Sequence, residues 1–156
     1  MPGNDQDHVV VKNSAGMAFE DGDDRGRIIV SAASTNGAYS VMEWVVAPAV
    51  DAEAAPAGFG PHQHGALEET FLVRSGELEF LVGDEVTTIS AGDFVRVPAG
   101  VRHGYRNTTE APVDLVVTFV PGGFEQLFVK YRSDQQSVPG PGFLAEATAK
   151  FDSSFE

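Results

Sequence analysis

The chain has 156 residues, 42% of them hydrophobic, with 23 Asp and Glu against 10 Lys and Arg for a formal net charge of −13, which bounds it to one ordinary domain with a core of its own. Phosphate binding needs clustered basic groups, so nucleic acid is excluded as a partner, and the same acidic field repels an anionic membrane surface. Without cysteine, disulfides, thiolate zinc sites and cysteine nucleophiles are excluded, and any metal must be held by His and carboxylate.

The opening "MPGNDQDHVVVKN" lacks a basic segment followed by an apolar run, and nowhere does an apolar run approach ~20 residues. Neither a secretory signal nor a membrane span is expected, which makes the cytoplasm the expected compartment. Residues 1–25 are expected to form an N-terminal arm, 26–132 the folded unit and 133–156 a tail. From residue 26 to 120, short runs rich in Val, Ile, Phe and Thr alternate with Gly, Pro, Asp and Asn, the pattern of an all-β sandwich or barrel. Strands are predicted at 27–33, 38–48, 62–64, 70–75, 77–82, 85–90, 93–98, 103–107 and 113–120. "RSGEL" and "VGDEV" place Gly beside polar residues between apolar runs, as hairpins require. In "ELEFLV", Leu78, Phe80 and Val82 alternate with Glu77, Glu79 and Leu81, which predicts one buried face.

Past Val120 the pattern changes. Phe124, Leu127, Phe128 and Tyr131 follow the i, i+3, i+4, i+7 spacing of an amphipathic helix laid on the barrel. "SVPGPG" then breaks the chain, "FLAEATAKF" suits one or two more helical turns, and "DSSFE" is expected to be disordered or docked on a partner.

The chemistry concentrates in two segments. In "GPHQHGALEETF", His62 and His64 stand two apart, so on a strand both imidazoles face the same side while Gln63 faces away. Alone, the pair fits either a bidentate metal clamp or a solvated strand face. Glu69 shares parity with Phe71 and Val73, and a carboxylate on an apolar face is costly unless paired or bound to a cation. Glu68 has the opposite parity and reads as a surface residue. In "GDFVRVPAGVRHGYRN", Pro98 and Gly100 make a turn that brings His103 into the next strand. If these strands line one barrel, His62, His64, Glu69 and His103 converge inside it, using three of the chain's four histidines.

These segments resemble the two motifs of the cupin superfamily. The first is met by His62, His64, Glu69 and Gly76, and the second by Gly92, Pro98, Gly100, His103 and Asn107, with a fifteen-residue spacer as in small bacterial members. One departure lies six residues before His62, where Pro56 replaces the family's usual glycine; Gly58 and Gly60 nearby suggest an altered lead-in loop. "TNGAYSVMEW", the "ELEFLVGDEV" hairpin and "PGGFEQLF" extend the resemblance over about residues 35–130, toward single-domain bacterial cupins related to quercetin 2,3-dioxygenases. The resemblance implies a double-stranded β-helix, or jelly-roll barrel, holding one divalent metal through His62, His64, Glu69 and His103. It leaves the reaction open, because the fold serves many chemistries.

Such a ligand set leaves one or two coordination positions free and accommodates iron, nickel, manganese, copper or zinc. Imidazoles titrate near ~6.5, so metal is expected to leave as the medium becomes acidic. By parity Met42, Trp44, Phe71, Val73, Leu78 and Phe80 either line a substrate pocket or simply fill the core. Glu69 is the candidate base, and Tyr105, on the face of His103, is the candidate contact beside it. The leading expectation is a dioxygenase acting on a small, flat, enol- or catechol-like substrate. The alternatives are a non-redox isomerase, cyclase or lyase on the same site, or a non-catalytic small-molecule or metal-binding module. A homodimer is expected from apolar outer surface on "RIIVSAA", Leu72 and Leu81.

Overall fold

A computed structural model of the chain describes residues 10–13, 15–49, 57–133 and 140–156. Among the described residues, eleven strands form two antiparallel sheets. The first sheet contains β1 (Met17–Asp21), β2 (Asp24–Val30), β3 (Ser40–Val46), β5 (Glu68–Ser75), β8 (Phe94–Val97) and β10 (Val113–Val120). Its spatial order is β1-β2-β3-β10-β5-β8. The second contains β4 (Ala57–His64), β6 (Glu77–Val82), β7 (Glu85–Ser90), β9 (His103–Asn107) and β11 (Ser153–Phe155), ordered β11-β4-β9-β6-β7. Among the described residues, two α-helices follow the strands of the barrel proper, α1 (Glu125–Ser133) and α2 (Pro141–Phe151). The all-β jelly-roll architecture read from the sequence is the one observed, with a second helix added.

Alternation builds the core. In β3, Ser40, Met42, Trp44 and Val46 are buried while the residues between them are only partly covered, and β10 buries Val113, Leu115, Val117 and Phe119 in the same rhythm. The outward faces carry charge: Glu43 of β3 accepts hydrogen bonds from Arg27 of β2 at 2.6 Å and from Arg74 of β5 at 2.7 Å, and Arg74 also grips Asp114 of β10. This ladder ties four neighbouring strands in one register. Gly58 of β4 has φ 139°, and a Cβ there would lie 2.2 Å from the Tyr105 carbonyl oxygen, so the close approach of β4 to β9 depends on glycine. Pro56, the motif departure, lies outside the described residues.

Three expectations are corrected. The strand placed at 27–33 begins at Asp24 and ends at Val30, because residues 32–35 curl into a 3₁₀ turn. The stretch expected as an arm contributes β1, whose Phe19 lies over Gly26 and stacks on Phe128 with ring centroids 5.6 Å apart. "DSSFE", expected to be disordered or docked on a partner, supplies β11, directly after α2, where "FLAEATAKF" was expected to turn helically. Pro141 starts α2 where its missing N–H is harmless, Asp152 closes it in the left-handed region at φ 50°, and Ser153, Ser154 and Phe155 pair with His64, Gln63 and His62 of β4. An otherwise open sheet edge is thereby covered. Among the described residues, no helix is long and apolar enough to cross a membrane.

The helix spacing read from Phe124, Leu127, Phe128 and Tyr131 holds, and all four are buried. Glu125, beside them, is also fully buried. It accepts the backbone N–H groups of Ala32 and Gly123, each at 2.8 Å, and so anchors the start of α1 to the 3₁₀ turn. Burial pushes its pKa upward, but these hydrogen bonds outweigh it and hold the carboxyl below its ordinary 4.5. A lowered folded-state pKa contributes stability above the unfolded value that disappears as pH falls through the folded one. Glu125→Gln is therefore expected to cost about 1–3 kcal/mol at neutral pH. In urea unfolding, its gap from the parent protein should shrink once pH drops below 4.5; a pH-independent gap would contradict this account.

Candidate metal centre

Strand register brings the four motif residues together. β4 and β9 pair with a bulge between Phe59 and His62, after which His62 stands directly opposite His103. His64 shares the inward face of β4 with His62, and Glu69 enters from β5, between Val97 of β8 and Phe119 of β10. All four side chains are buried, and their ligand atoms lie within 4.8 Å of one another. Ring centroids of His62 and His103 are 4.2 Å apart, and those of His62 and His64 4.9 Å.

Each imidazole is held by its Nδ1. That of His62 meets the Gly60 carbonyl at 2.7 Å, that of His103 the Val101 carbonyl at 3.0 Å, and that of His64 the Ser153 hydroxyl at 2.5 Å. A carbonyl only accepts, so His62 and His103 carry a proton on Nδ1 and direct Nε2 toward the centre. Glu69 Oε2 makes a short contact with His103 Nε2 and lies 3.7 Å from His64 Nε2.

The electrostatics follow from burial and neighbours. Burial, reinforced by the nearby His103, pushes His62 down to about 3, and burial likewise lowers His64, so both are neutral. Burial opposes charge on Glu69 and His103 too, yet their mutual hydrogen bond and attraction win: Glu69 is lowered and His103 raised. One proton is thus held between them, and four donors gathering on a cation would have to release it.

The residues fit a metal ion. His64 Nε2 is buried with no hydrogen-bond partner and faces the cluster, an arrangement that is costly unless something accepts its lone pair. Three imidazoles and a carboxylate suit a borderline transition metal and exclude an all-oxygen calcium-type site.

On the other side of the cluster is a cavity bordered by His62, Glu69, Met42, Trp44, Phe71 and Tyr105, together with Phe59, Val117, Phe119, Phe124 and Phe128. The space open to a water's centre is about 20 Å³, room for one or two waters. Of the residues expected to line a pocket, Met42, Trp44, Phe71 and Tyr105 do so. Val73 and Phe80 are buried but do not border it; Phe80 sits behind, against Phe71 and Tyr105 with centroids 4.9 and 6.0 Å away. Burial, together with the negative Asp24 and Glu69, pushes the Tyr105 hydroxyl well above its usual range, so it stays protonated. Glu68 faces outward, paired with Arg96 at 2.5 Å.

Sequence reading missed several walls. Val117 and Phe119 were reachable by the parity of β10, and Phe124 and Phe128 were assigned only to a helix face. Ser153 and the Phe155 ring, nearly parallel to His62 at 5.7 Å, carried no motif signal.

Residues 51–119 match the family described as the cupin domain. The fold is that of a cupin. The chain is 27% identical over 121 residues to the quercetin 2,3-dioxygenase of Bacillus subtilis (strain 168), covering 76% of this chain and 33% of that protein. It is 37% identical over 57 residues to an uncharacterized protein of Aquifex aeolicus (strain VF5), covering 36% of this chain and 47% of that protein. The chain thus spans about a third and about half of the lengths of these curated relatives. In three dimensions it is similar to a predicted oxalate decarboxylase of Thermotoga maritima, with a TM-score of 0.63 at 17% identity over 72% of this chain and 99% of that one.

The cupin barrel is closed at the cavity end by rings from its C-terminal part. Phe124 is buried against His64 at 4.6 Å between centroids and also touches Phe119, Phe128, Phe143 and Phe151. Phe124→Ala is expected to cost about 3–5 kcal/mol in urea unfolding, through lost transfer energy and the void left behind. A loss under about 1 kcal/mol would show that the helices do not seal the barrel through this ring.

Proposed function

We propose that this cupin is a metal-dependent enzyme of the mononuclear dioxygenase type, acting on a small, flat, enol- or catechol-like substrate. The observation that carries the reading is the junction of a three-His, one-Glu donor set with a cavity whose other walls are apolar. A divalent transition metal held by His62, His64, Glu69 and His103, whether iron, nickel, manganese, copper or zinc, would supply Lewis-acid polarisation of a substrate oxygen and, if redox-active, electron transfer. The similarity to a quercetin 2,3-dioxygenase supports the same class.

The chain's own groups then have distinct tasks. Met42, Trp44, Phe71 and Val117 keep water out and favour dioxygen and the face of a flat ring. Glu69 receives the enol or catechol proton at Oε2, the atom already placed against His103. Tyr105, kept protonated, serves as a donor and not as a base. The substrate provides the electrons and both atoms of dioxygen enter the product, so no external reductant is required. Since the cavity holds little more than a water, the organic substrate enters only as the rings that border it at the start of α1, Phe124 and Phe128, move aside.

A second reading, a non-redox isomerase, cyclase or lyase, is favoured by the proton shared between Glu69 and His103, which suits proton transfer without oxygen. For the assembly we propose a homodimer in the cytoplasm, joined across the outer face near β8. There Leu72, 39% exposed, lies opposite Phe94, 61% exposed. Leu81, on the other sheet, is only partly exposed.

The purified protein is expected to carry roughly one divalent ion per chain, lost in His103→Ala, and to consume oxygen with a flavonol or related enol. Turnover unchanged without oxygen would replace the first reading with the second, and no turnover in either condition would make the protein a binding module. Phe94→Asp is expected to shift the mass measured by light scattering from dimer to monomer; a dimer that survives the change would place the contact elsewhere.

A further inference from the structure

The three imidazoles of the cluster are not held alike. The carbonyls facing Nδ1 of His62 and His103 can only accept, which fixes both tautomers. The partner of His64 is a hydroxyl, which can accept from Nδ1–H or donate to a bare Nδ1. Donation would put the ring proton on Nε2, and a protonated Nε2 has no lone pair to offer an ion.

Resting on the metal-binding reading above, we infer that Ser153 of the C-terminal strand is the positioning residue that makes His64 a ligand, accepting from Nδ1–H and leaving Nε2 bare toward the cluster. Ser153 and His64 are each 2% exposed, so little solvent reaches the bond between them. Ser153 also stands directly opposite His64 in the β11–β4 ladder, so its distance is set by backbone register. That register is pinned on both sides. Gly65 N–H donates to the Asp152 carbonyl at 2.9 Å, Glu156 N–H to the Pro61 carbonyl at 3.0 Å, and Thr148 Oγ1 to the Ser153 carbonyl at 2.8 Å. Arg102 then clasps the Glu156 carboxylate at 2.5 and 2.6 Å. The unpartnered His64 Nε2 is what this orientation leaves behind. β11 is thereby part of the metal site, although it lies outside both sequence motifs.

The test compares the parent protein with Ser153→Thr and Ser153→Val, two side chains of one shape that differ by a hydroxyl, and with Ser153→Ala and His64→Ala. Zinc and cobalt affinities are measured by chelator competition, and the His64 tautomer in metal-free protein by nitrogen-15 NMR. Removing an outer partner of a ligating histidine is expected to weaken binding about 10–100-fold in Ser153→Val and Ser153→Ala, with Ser153→Thr near the parent. The metal-free urea midpoints of the Thr and Val variants should agree, and the cobalt absorption band should shift only in Val and Ala. His64 should hold its proton on Nδ1 in the parent and Thr proteins and divide it between the two nitrogens in Val. Parent-like affinity, cobalt spectrum and tautomer in Ser153→Val would overturn the inference. Failure of the parent protein to bind either ion, or undiminished binding by His64→Ala, would overturn the metal reading instead, while the tautomer of Ser153→Val would still decide the role of the hydroxyl.

Discussion

A carboxylate in the interior of an aromatic-lined barrel is the constraint from which the rest of this structure follows. Glu69 is 5% exposed, on a strand face continued by Phe71 and Val73, and leaving its charge unpaired there would cost several kcal/mol. The compensation is His103, raised in pKa by the same contact that lowers Glu69. That pairing works only if the His103 ring is oriented, and the Val101 carbonyl two residues earlier orients it. The two further imidazoles must then stay neutral, since a second buried cation would repel His103, and burial keeps them so. The result is a set of donors crowded toward one point with less hydrogen bonding than they can accept, a state that a cation relieves.

The sheets have to deliver this crowding. A one-residue slip of any strand would turn its ligand to the outer face, so the register devices matter as much as the ligands. On one sheet the Arg27–Glu43–Arg74–Asp114 ladder locks β2, β3, β10 and β5 together. Exposed ion pairs of this kind stabilise little individually, yet they discriminate against alternative pairings. On the other sheet, the bulge after Phe59 and the close approach at Gly58 set His62 opposite His103.

Much of this was legible in the sequence for local reasons. Period-two alternation marks β3, β5, β6 and β10, because each has one face in the core, and the same parity separates Glu69 from Glu68. The i, i+3, i+4, i+7 spacing marks α1 because the helix covers the barrel with one stripe. What was not legible depends on contacts distant in sequence. β1 is mostly exposed and is joined to the core chiefly through Phe19, whose partners Trp44 and Phe128 are far along the chain. β11 is three residues long and polar but for Phe155; its strand character comes from the free edge of β4. Ser153 looked like tail because nothing in "DSSFE" indicates which strand it meets. Val73 and Phe80 share the inward parity of the cavity residues, and parity does not distinguish the first layer of a core from the second.

The closure of the barrel ties these late segments to the chemistry. Rings from α1, α2 and β11 run from Phe128 through Phe124 and Phe143 to Phe155, which lies nearly parallel to His62. By excluding water they lower the dielectric around Glu69 and His103 and strengthen every polar contact there. The cover that excludes water also excludes substrate, so any reaction on a molecule larger than dioxygen requires the cover to move. β11 belongs to the cover through Phe155 and to the donor set through Ser153. Displacing it would strip the Phe155 ring from His62 and release His64 from its Ser153 partner in one movement, so the packing around the donors and their orientation are coupled through a single short strand.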